Sequence, residues 1–151
     1  MDQKWLSVVL VLSAVCGVSP YVPHRYHFVN QSKTWTEAQR YCRQTYTDLA
    51  TINNMDEMKK LNELLQGKAK SSVWIGLSRG STVKLRWSLA RDNVHTEKDM
   101  FQNWKPGEPD NIGGIEFCIG TYAVNWFDDI CLRQRTFICY DGKNHQYCTC
   151  L

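Results

Sequence analysis

Six cysteines downstream of a signal-like N-terminus constrain the fold of this chain more than any other sequence feature. Residues 5–15 are almost continuously apolar, Lys4 precedes them and small residues follow them, which is the pattern of a secretory signal peptide. The apolar run is shorter than the roughly 20 residues that a membrane-spanning helix needs. We therefore predict a signal peptide over residues 1–19, secretion to the extracellular space, and no membrane span.

An even number of cysteines remains once Cys16 is removed with the signal: Cys42, Cys118, Cys131, Cys139, Cys148 and Cys150. An even number in a secreted chain predicts disulfide bonds, although the count leaves the pairing open. Zinc is not expected, because the spacings do not form a pair of C-x-x-C knuckles. Asn30-Gln31-Ser32 is a glycosylation sequon, so Asn30 is a candidate site of N-glycosylation.

Length and charge narrow the class of protein. A chain of 151 residues suits one domain, and 43% hydrophobic with 22% charged residues is typical of a folded globular protein. The net charge of +3 is small and the basic residues are scattered, which argues against binding to nucleic acid. We predict one folded domain over residues 26–141 and a cysteine-containing tail over residues 142–151.

The first half of the chain carries the signals of two helices. Thr34 and Glu37 form a capping-box pattern, and apolar residues at helical spacing then predict a helix near residues 35–45. A second helix is predicted to begin at Asn54 and to end at Gly67, with a stripe of leucines and Met on one face.

Short β-rich runs lie on both sides of a long irregular segment. Residues 26–29, 73–77 and 85–87 predict strands before it, and residues 117–124 and 135–140 predict strands after it. The irregular segment, residues 88–115, shows no convincing helix or strand. A loop of that length in a small domain is usually functional or disordered, and its aromatic and acidic residues favour an ordered binding loop.

Acidic side chains concentrate in and after this loop, at Glu108, Asp110, Glu116, Asp128 and Asp129. Calcium takes six to eight oxygen ligands, mostly from carboxylates and carbonyls. Four or five acids on two neighbouring segments could supply many of these ligands. The plain alternative is a solvated acidic loop, since clusters of charge are usually hydrated surface. Pro109 separates the first two acids, and a cis bond before it would suit their orientation.

Several motifs resemble the C-type lectin-like domain family. Trp74-Ile75-Gly76-Leu77 matches the family's strand motif letter for letter, and Glu108-Pro109-Asp110 is similar to its Glu-Pro-Asn or Gln-Pro-Asp sugar motif. Glu116 lies two residues before Cys118, as the family's next calcium ligand does. Trp126-Phe127-Asp128, which begins five residues before the next Cys, resembles the family's Trp-Asn-Asp.

The resemblance implies an α+β fold with two helices, small antiparallel sheets and a long calcium- and ligand-binding loop. It also implies two disulfides, Cys42–Cys139 and Cys118–Cys131. Cys148 and Cys150 have no place in the family's basic pattern. They could pair with each other, which would be strained, or bridge two chains in a disulfide-linked homodimer, and we favour the bridge slightly.

Family resemblance further implies a calcium ion held by Glu108, Asp110, Glu116 and Asp128, with the first three also contacting the sugar. Phe127 departs from the pattern, because it stands where the family has a ligating Asn and offers no oxygen. This departure weakens the predicted calcium site. In a second alignment, residues 127–129 take the Trp-Asn-Asp positions and Asp129 becomes a ligand. Spacing to the following Cys favours the first alignment.

The leading hypothesis is therefore a secreted, calcium-dependent lectin that recognises glycans, for example on microbial surfaces in innate immunity. Glu-Pro-Asp is a hybrid of the two sugar motifs, so no sugar is named. The alternative is a calcium-independent lectin-like module that binds a protein or another non-sugar surface. An enzyme is not expected, since no catalytic motif is present. The histidines have no triad-like context and are expected at the surface: His24, His27, His95 and His145. Trp104 and Trp126 are expected in the core, with stacking on a sugar as the alternative.

Overall fold

The computed structural model describes residues 25–69, 71–80, 84–89 and 100–142. Three of the sequence predictions fall outside these residues: the signal peptide, the state of Cys148 and Cys150, and the predicted surface position of His24, His95 and His145. Of the described residues, no helix is both long and apolar enough to cross a membrane.

Both predicted helices are confirmed, and their caps form as the sequence indicates. Helix α1 spans Trp35–Thr45, and the Thr34 backbone N–H donates to the Glu37 carboxylate at 3.0 Å while the Thr34 hydroxyl accepts from the Glu37 N–H. Helix α2 spans Met55–Leu65, and the Asn54 side chain accepts from the Glu57 N–H at 2.9 Å. Each helix buries its apolar face, so packing adds to the local signals.

Seven strands of the described part of the chain join into one sheet rather than into separate small sheets. They are β1 (Arg25–Lys33), β2 (Asp48–Leu49), β3 (Val73–Arg79), β4 (Leu85–Trp87), β5 (Cys118–Tyr122), β6 (Asn125–Asp129) and β7 (Arg135–Asp141). The main order is β1-β7-β3-β5-β6, with β2 beside β7 and β4 beside β3. All pairs are antiparallel except β3 with β7, which is parallel. Neither β2 nor β6 was among the strands predicted from the sequence: β2 has two residues, too few to show a period, and the predicted run 117–124 covers β5 alone.

Strand β3 lies at the centre of the sheet, and Gly76 explains why its motif contains a glycine. The Gly76 N–H donates to the Ala50 carbonyl at 2.9 Å, which draws the chain beside β2 against the strand. A Cβ at residue 76 would lie 2.9 Å from the Leu49 carbonyl oxygen and 3.0 Å from that of Ala50. Since both atoms belong to backbone, neither can move cheaply, and only glycine permits this approach.

We expect Gly76→Ala to destabilise the domain by roughly 1–3 kcal/mol, because the added methyl forces two backbone segments apart. Urea unfolding of the variant against wild type measures this loss. Gly80→Ala is the matched control, because its Cβ would meet nothing closer than 3.9 Å and its effect should stay within about 0.5 kcal/mol. Equal stabilities for the two variants would rule out steric necessity at Gly76.

Trp126 of β6 anchors the core beneath the long loop. Its side chain is fully buried, and the rings of Trp87, Phe101 and Trp104 meet it edge-on at centroid distances of 5.5–5.8 Å. The backbone of residues 103–105 also bonds to Trp126, which holds the loop along β6. Trp126 has no face left for a sugar, so the core prediction is confirmed and stacking at this residue is wrong.

The two disulfides implied by the family resemblance are present. Cys42–Cys139 connects α1 to β7 across 97 residues of sequence, and Cys118–Cys131 connects the start of β5 to the turn after β6 across 13. The second bond joins the start of β5, which directly follows the acidic loop (residues 108–116), to the turn after β6, the strand that carries Asp128.

Two smaller predictions concern strand β1. Asn30 is exposed there, so the sequon is accessible to a glycan. His27 was expected at the surface and is instead half-buried, with its ring stacked on Tyr46 at 4.4 Å and its Nε2 buried. The stacked ring gives His27 a packing role that sequence context did not reveal.

Candidate functional site

Asp128 organises the acidic loop from its position on β6. Its side chain is fully buried, and its two carboxylate oxygens accept hydrogen bonds from the backbone N–H groups of Asp110 and Asn111, at 3.1 and 3.0 Å. Strand β6 pairs with β5 in the sheet, so the register of this pairing fixes where Asp128 meets the loop. The peptide bond between Glu108 and Pro109 is cis, as the sequence analysis anticipated.

Three carboxylates converge at this point. Each of Glu108, Asp110 and Asp128 places one oxygen within 4.8 Å of the others. Glu108 is half-buried and its Oε2 is fully buried without a hydrogen-bond partner among the described residues. Burial, together with the neighbouring carboxylates of Asp128 and Asp110, raises the pKa of Glu108. An unsatisfied buried oxygen beside two other carboxylates is an arrangement that a cation would relieve.

Glu116 lies at the far end of the same loop and helps to shape it. Its carboxylate accepts from the Ile112 N–H at 3.0 Å, and its own N–H donates to the Asn111 side chain at 3.0 Å. The pKa of Glu116 is raised overall. Burial is the largest cause and the Asp128 charge acts in the same direction, whereas the hydrogen bond from the Ile112 N–H acts in the opposite one. The Glu116 carboxylate is not among the three that converge within 4.8 Å, so a ligand role for it stays a prediction.

Asp129 points to the opposite face of β6 from Asp128, as successive strand residues do. Its carboxylate is ion-paired with Arg133 at 3.1 Å and with Arg135, and it accepts from the Ile130 N–H. These contacts favour the alignment in which Asp128 stands at the family's ligand position. Among the described residues, Asp129 is not part of the converging acidic group.

Phe127, the residue that replaces a family ligand, is part of the wall of a cavity. Its ring lies against Gly120, where an added Cβ would come within 2.6 Å of the ring, and the Arg135 guanidinium lies 5.2 Å from the ring centroid. The cavity is about 500 Å³ and is lined by Ser71, Ser72, Lys105, Glu108, Tyr122, Asn125 and Phe127. An aromatic wall therefore stands next to Glu108 at the position where the family carries an oxygen ligand.

Arg79 is a functional candidate that sequence analysis missed. Its guanidinium Nη2 lies 3.4 Å from the Asp128 carboxylate, and its side chain is only 11% exposed. In the sequence, Arg79 is simply a basic residue at the end of a buried strand. Strands commonly reach solvent at such a position, so the residue does not stand out as part of a site. The contact arises from folding, because 49 residues separate the two side chains.

The donor set fits a hard divalent cation. Three carboxylate oxygens converge, and carboxylate oxygens are ligands that calcium prefers. The Oε2 of Glu108 also has no hydrogen-bond partner among the described residues. The three carboxylates do not complete a shell of six to eight, so further oxygens must come from Glu116, backbone, water or a bound ligand. Phe127 supplies none, and Arg79 already contributes one positive charge.

Comparison with known proteins now decides the family. The model of the lectin C-type domain matches residues 31–141. The chain belongs to the C-type lectin domain family. Members of this family are generally binding modules rather than enzymes, and many bind carbohydrate and calcium. This confirms the family and fold that the sequence motifs indicated.

Individual relatives agree with this assignment. Rabbit (Oryctolagus cuniculus) E-selectin is 32% identical over 149 residues, which is 93% of this chain and 26% of that protein. The chain therefore spans about a quarter of the length of that relative. The carbohydrate-recognition domain of mouse scavenger receptor C-type lectin superposes with a TM-score of 0.69 at 26% identity, covering 83% of this chain and 95% of that domain. A calcium-independent type II antifreeze protein shares the fold alone, with a TM-score of 0.66 at 20% identity over 82% of this chain and 89% of that one.

Proposed function

We propose that this C-type lectin domain is a secreted, calcium-dependent lectin that recognises glycans, including sugars on microbial surfaces in innate immunity. The observation that carries the proposal is the convergence of Glu108, Asp110 and Asp128, with a buried Glu108 oxygen that has no other partner among the described residues. The signal-like N-terminus and the two disulfides support secretion, because such bonds persist in oxidising compartments.

The chain's own residues divide the work of binding. Glu108, Asp110 and Asp128 would hold calcium, with Glu116 as a fourth ligand, and bound calcium would supply a positive centre for sugar hydroxyls. The carboxylates of Glu108, Asp110 and Glu116 can only accept hydrogen bonds, so a sugar must donate its hydroxyl protons to them. Asp128 also orients the loop, because its carboxylate accepts hydrogen bonds from the Asp110 and Asn111 N–H groups.

Affinity chromatography tests the proposal. Secreted protein is passed in calcium over immobilised mannose and immobilised galactose and then eluted with EDTA. We expect retention on one of the two and release by EDTA, which would also assign the sugar class. A glycan array probed with and without EDTA extends the test to other sugars. If folded protein bound no glycan in calcium on either column or on the array, a lectin activity would be excluded.

A second candidate is a calcium-independent module that binds a protein or another non-sugar surface. Phe127 favours it by removing an oxygen ligand, and so do the exposed apolar side chains of Ile112 and Ile115 on the acidic loop, which are 67% and 52% exposed. Thermal unfolding separates the two candidates, since a calcium-independent module would melt at the same temperature with calcium and with EDTA.

Pairing of Cys148 with Cys150, or between two chains in a homodimer, stays a prediction.

A further inference from the structure

Arg79 places a rigidly held guanidinium beside the acidic group. It is the last residue of β3 and pairs with Leu85 of β4, and its N–H donates to the Phe117 carbonyl at 2.7 Å. The backbone is therefore fixed from both sides. With 11% of its side chain exposed, Arg79 has little freedom to turn into solvent.

The contact between Arg79 and Asp128 is one of charge more than of hydrogen bonding. Their closest atoms, Nη2 and Oδ2, are 3.4 Å apart, beyond the usual ~2.7–2.9 Å of a charge-assisted hydrogen bond. Both oxygens of Asp128 already accept from the backbone N–H groups of Asp110 and Asn111. The Nε of Arg79 is buried without a partner among the described residues. Arg79 is thus not needed to satisfy Asp128, but it does supply positive charge.

That charge acts in opposite directions with and without a metal. Without a cation, the guanidinium offsets the mutual repulsion of three carboxylates, one of which is fully buried. For an incoming divalent cation, the same guanidinium is a like charge in a poorly solvated place and opposes binding. One positive charge against three negative ones leaves the site attractive to calcium, but less so than the carboxylates alone.

We propose that Arg79 is a resident counter-cation of the calcium site, which keeps the acidic loop assembled without metal and weakens calcium binding. The proposal rests on the calcium site of the proposed function. Under this proposal Arg79, which lies outside the family motifs, sets the calcium affinity of the site. It would therefore also set the calcium concentration at which the protein holds a glycan.

Replacing Arg79 tests both halves of the proposal. Arg79→Met keeps much of the side chain's volume and removes its charge, and Arg79→Lys keeps the charge. Arg133→Met is the matched control, because it also removes one positive charge but pairs with Asp129 outside the acidic group. Each protein is titrated with calcium chloride by calorimetry, up to about 10 mM to cover the range of extracellular calcium modules. Each is also melted in EDTA.

We expect Arg79→Met to bind calcium about tenfold more tightly than wild type and to melt at a lower temperature in EDTA. Arg79→Lys should stay near wild type in both measurements, and Arg133→Met should change calcium affinity by less than about twofold, as an exposed charge does. A variant that folds only when calcium is added would also support the proposal, since the metal would then replace the missing charge.

The outcomes separate this proposal from the function on which it rests. If wild type and Arg79→Met bind calcium equally well, Arg79 is no counter-cation, while the calcium site stands. If only Arg79→Met binds, the counter-cation is supported and the natural chain is calcium-independent. If neither binds, both ideas fail. An unchanged melting temperature of Arg79→Met in EDTA would overturn the stabilising half.

Discussion

Glu108→Gln will lower calcium affinity on the order of 100-fold, because it removes a full charge from the converging carboxylates while keeping the side chain's shape. Even residues that only support a metal ligand change affinity by about 10–100-fold when replaced. Glu108 is the sharpest position for the test, since its Oε2 has no other partner among the described residues. Asp128, by contrast, also holds the loop through two backbone N–H groups, so its loss would mix binding with folding.

The same exchange should raise the melting temperature of the calcium-free protein. The pKa of Glu108 is raised by burial and by Asp128 and Asp110, which means that its ionised form is disfavoured in the native state and removing the charge relieves that cost. Isothermal titration and thermal melting in EDTA give the two readouts. Glu63→Gln on the exposed side of α2 is the matched control and should change neither. An unaltered calcium affinity in Glu108→Gln would exclude the acidic group as the calcium site.

The largest expected effect on stability comes from the disulfide between α1 and β7. Replacing Cys42 and Cys139 with Ala will destabilise the domain by about 4–5 kcal/mol, because the bond closes a loop of 97 residues in the unfolded chain. Typical domains are stable by only about 5–15 kcal/mol, so this variant will be partly or largely unfolded near 37 °C. Urea unfolding followed by tryptophan fluorescence measures the loss.

Removal of Cys118–Cys131 provides the internal comparison. That bond closes 13 residues, and the same chain-entropy argument predicts a smaller loss, about 3 kcal/mol. We expect removal of Cys118–Cys131 to lower calcium affinity more than removal of Cys42–Cys139 does. The short bond joins the start of β5, which follows the acidic loop, to the turn after β6, the strand that carries Asp128. A greater loss of stability from the short bond than from the long one would contradict the entropic explanation.

Arg79 and Phe127 together give a physical reason to measure calcium dependence in this member of the family rather than to assume it. One adds a positive charge next to Asp128, and the other replaces an oxygen ligand by an aromatic ring. Both changes weaken the attraction for calcium, whereas an aspartate at residue 110, where the sugar-binding pattern has Asn after Glu-Pro, strengthens it. The balance of these terms decides between the two candidate functions.

Local sequence determined the parts of the fold whose energetics are local. The caps at Thr34 and Asn54 and the helical stripes that follow predict α1 and α2 because they involve residues three and four apart. The central strand was likewise predicted from its β-rich run, whereas the pairing of the cysteines was implied by resemblance to a family, which carries tertiary information that spacing alone lacks. The same resemblance pointed to Glu108, Asp110 and Asp128, which the structure brings together.

Tertiary structure alone decided which charges meet. Asp128 and Asp129 are adjacent, and sequence motifs hardly distinguish them. Because side chains alternate between the two faces of β6, the Asp128 carboxylate lies in the acidic loop, whereas Asp129 pairs with Arg133 and Arg135. Arg79 reaches Asp128 only because β3 and β6 both flank β5 in the sheet. Electrostatic contacts act through space, and a chain's sequence sets their partners only after the sheet order and register are known.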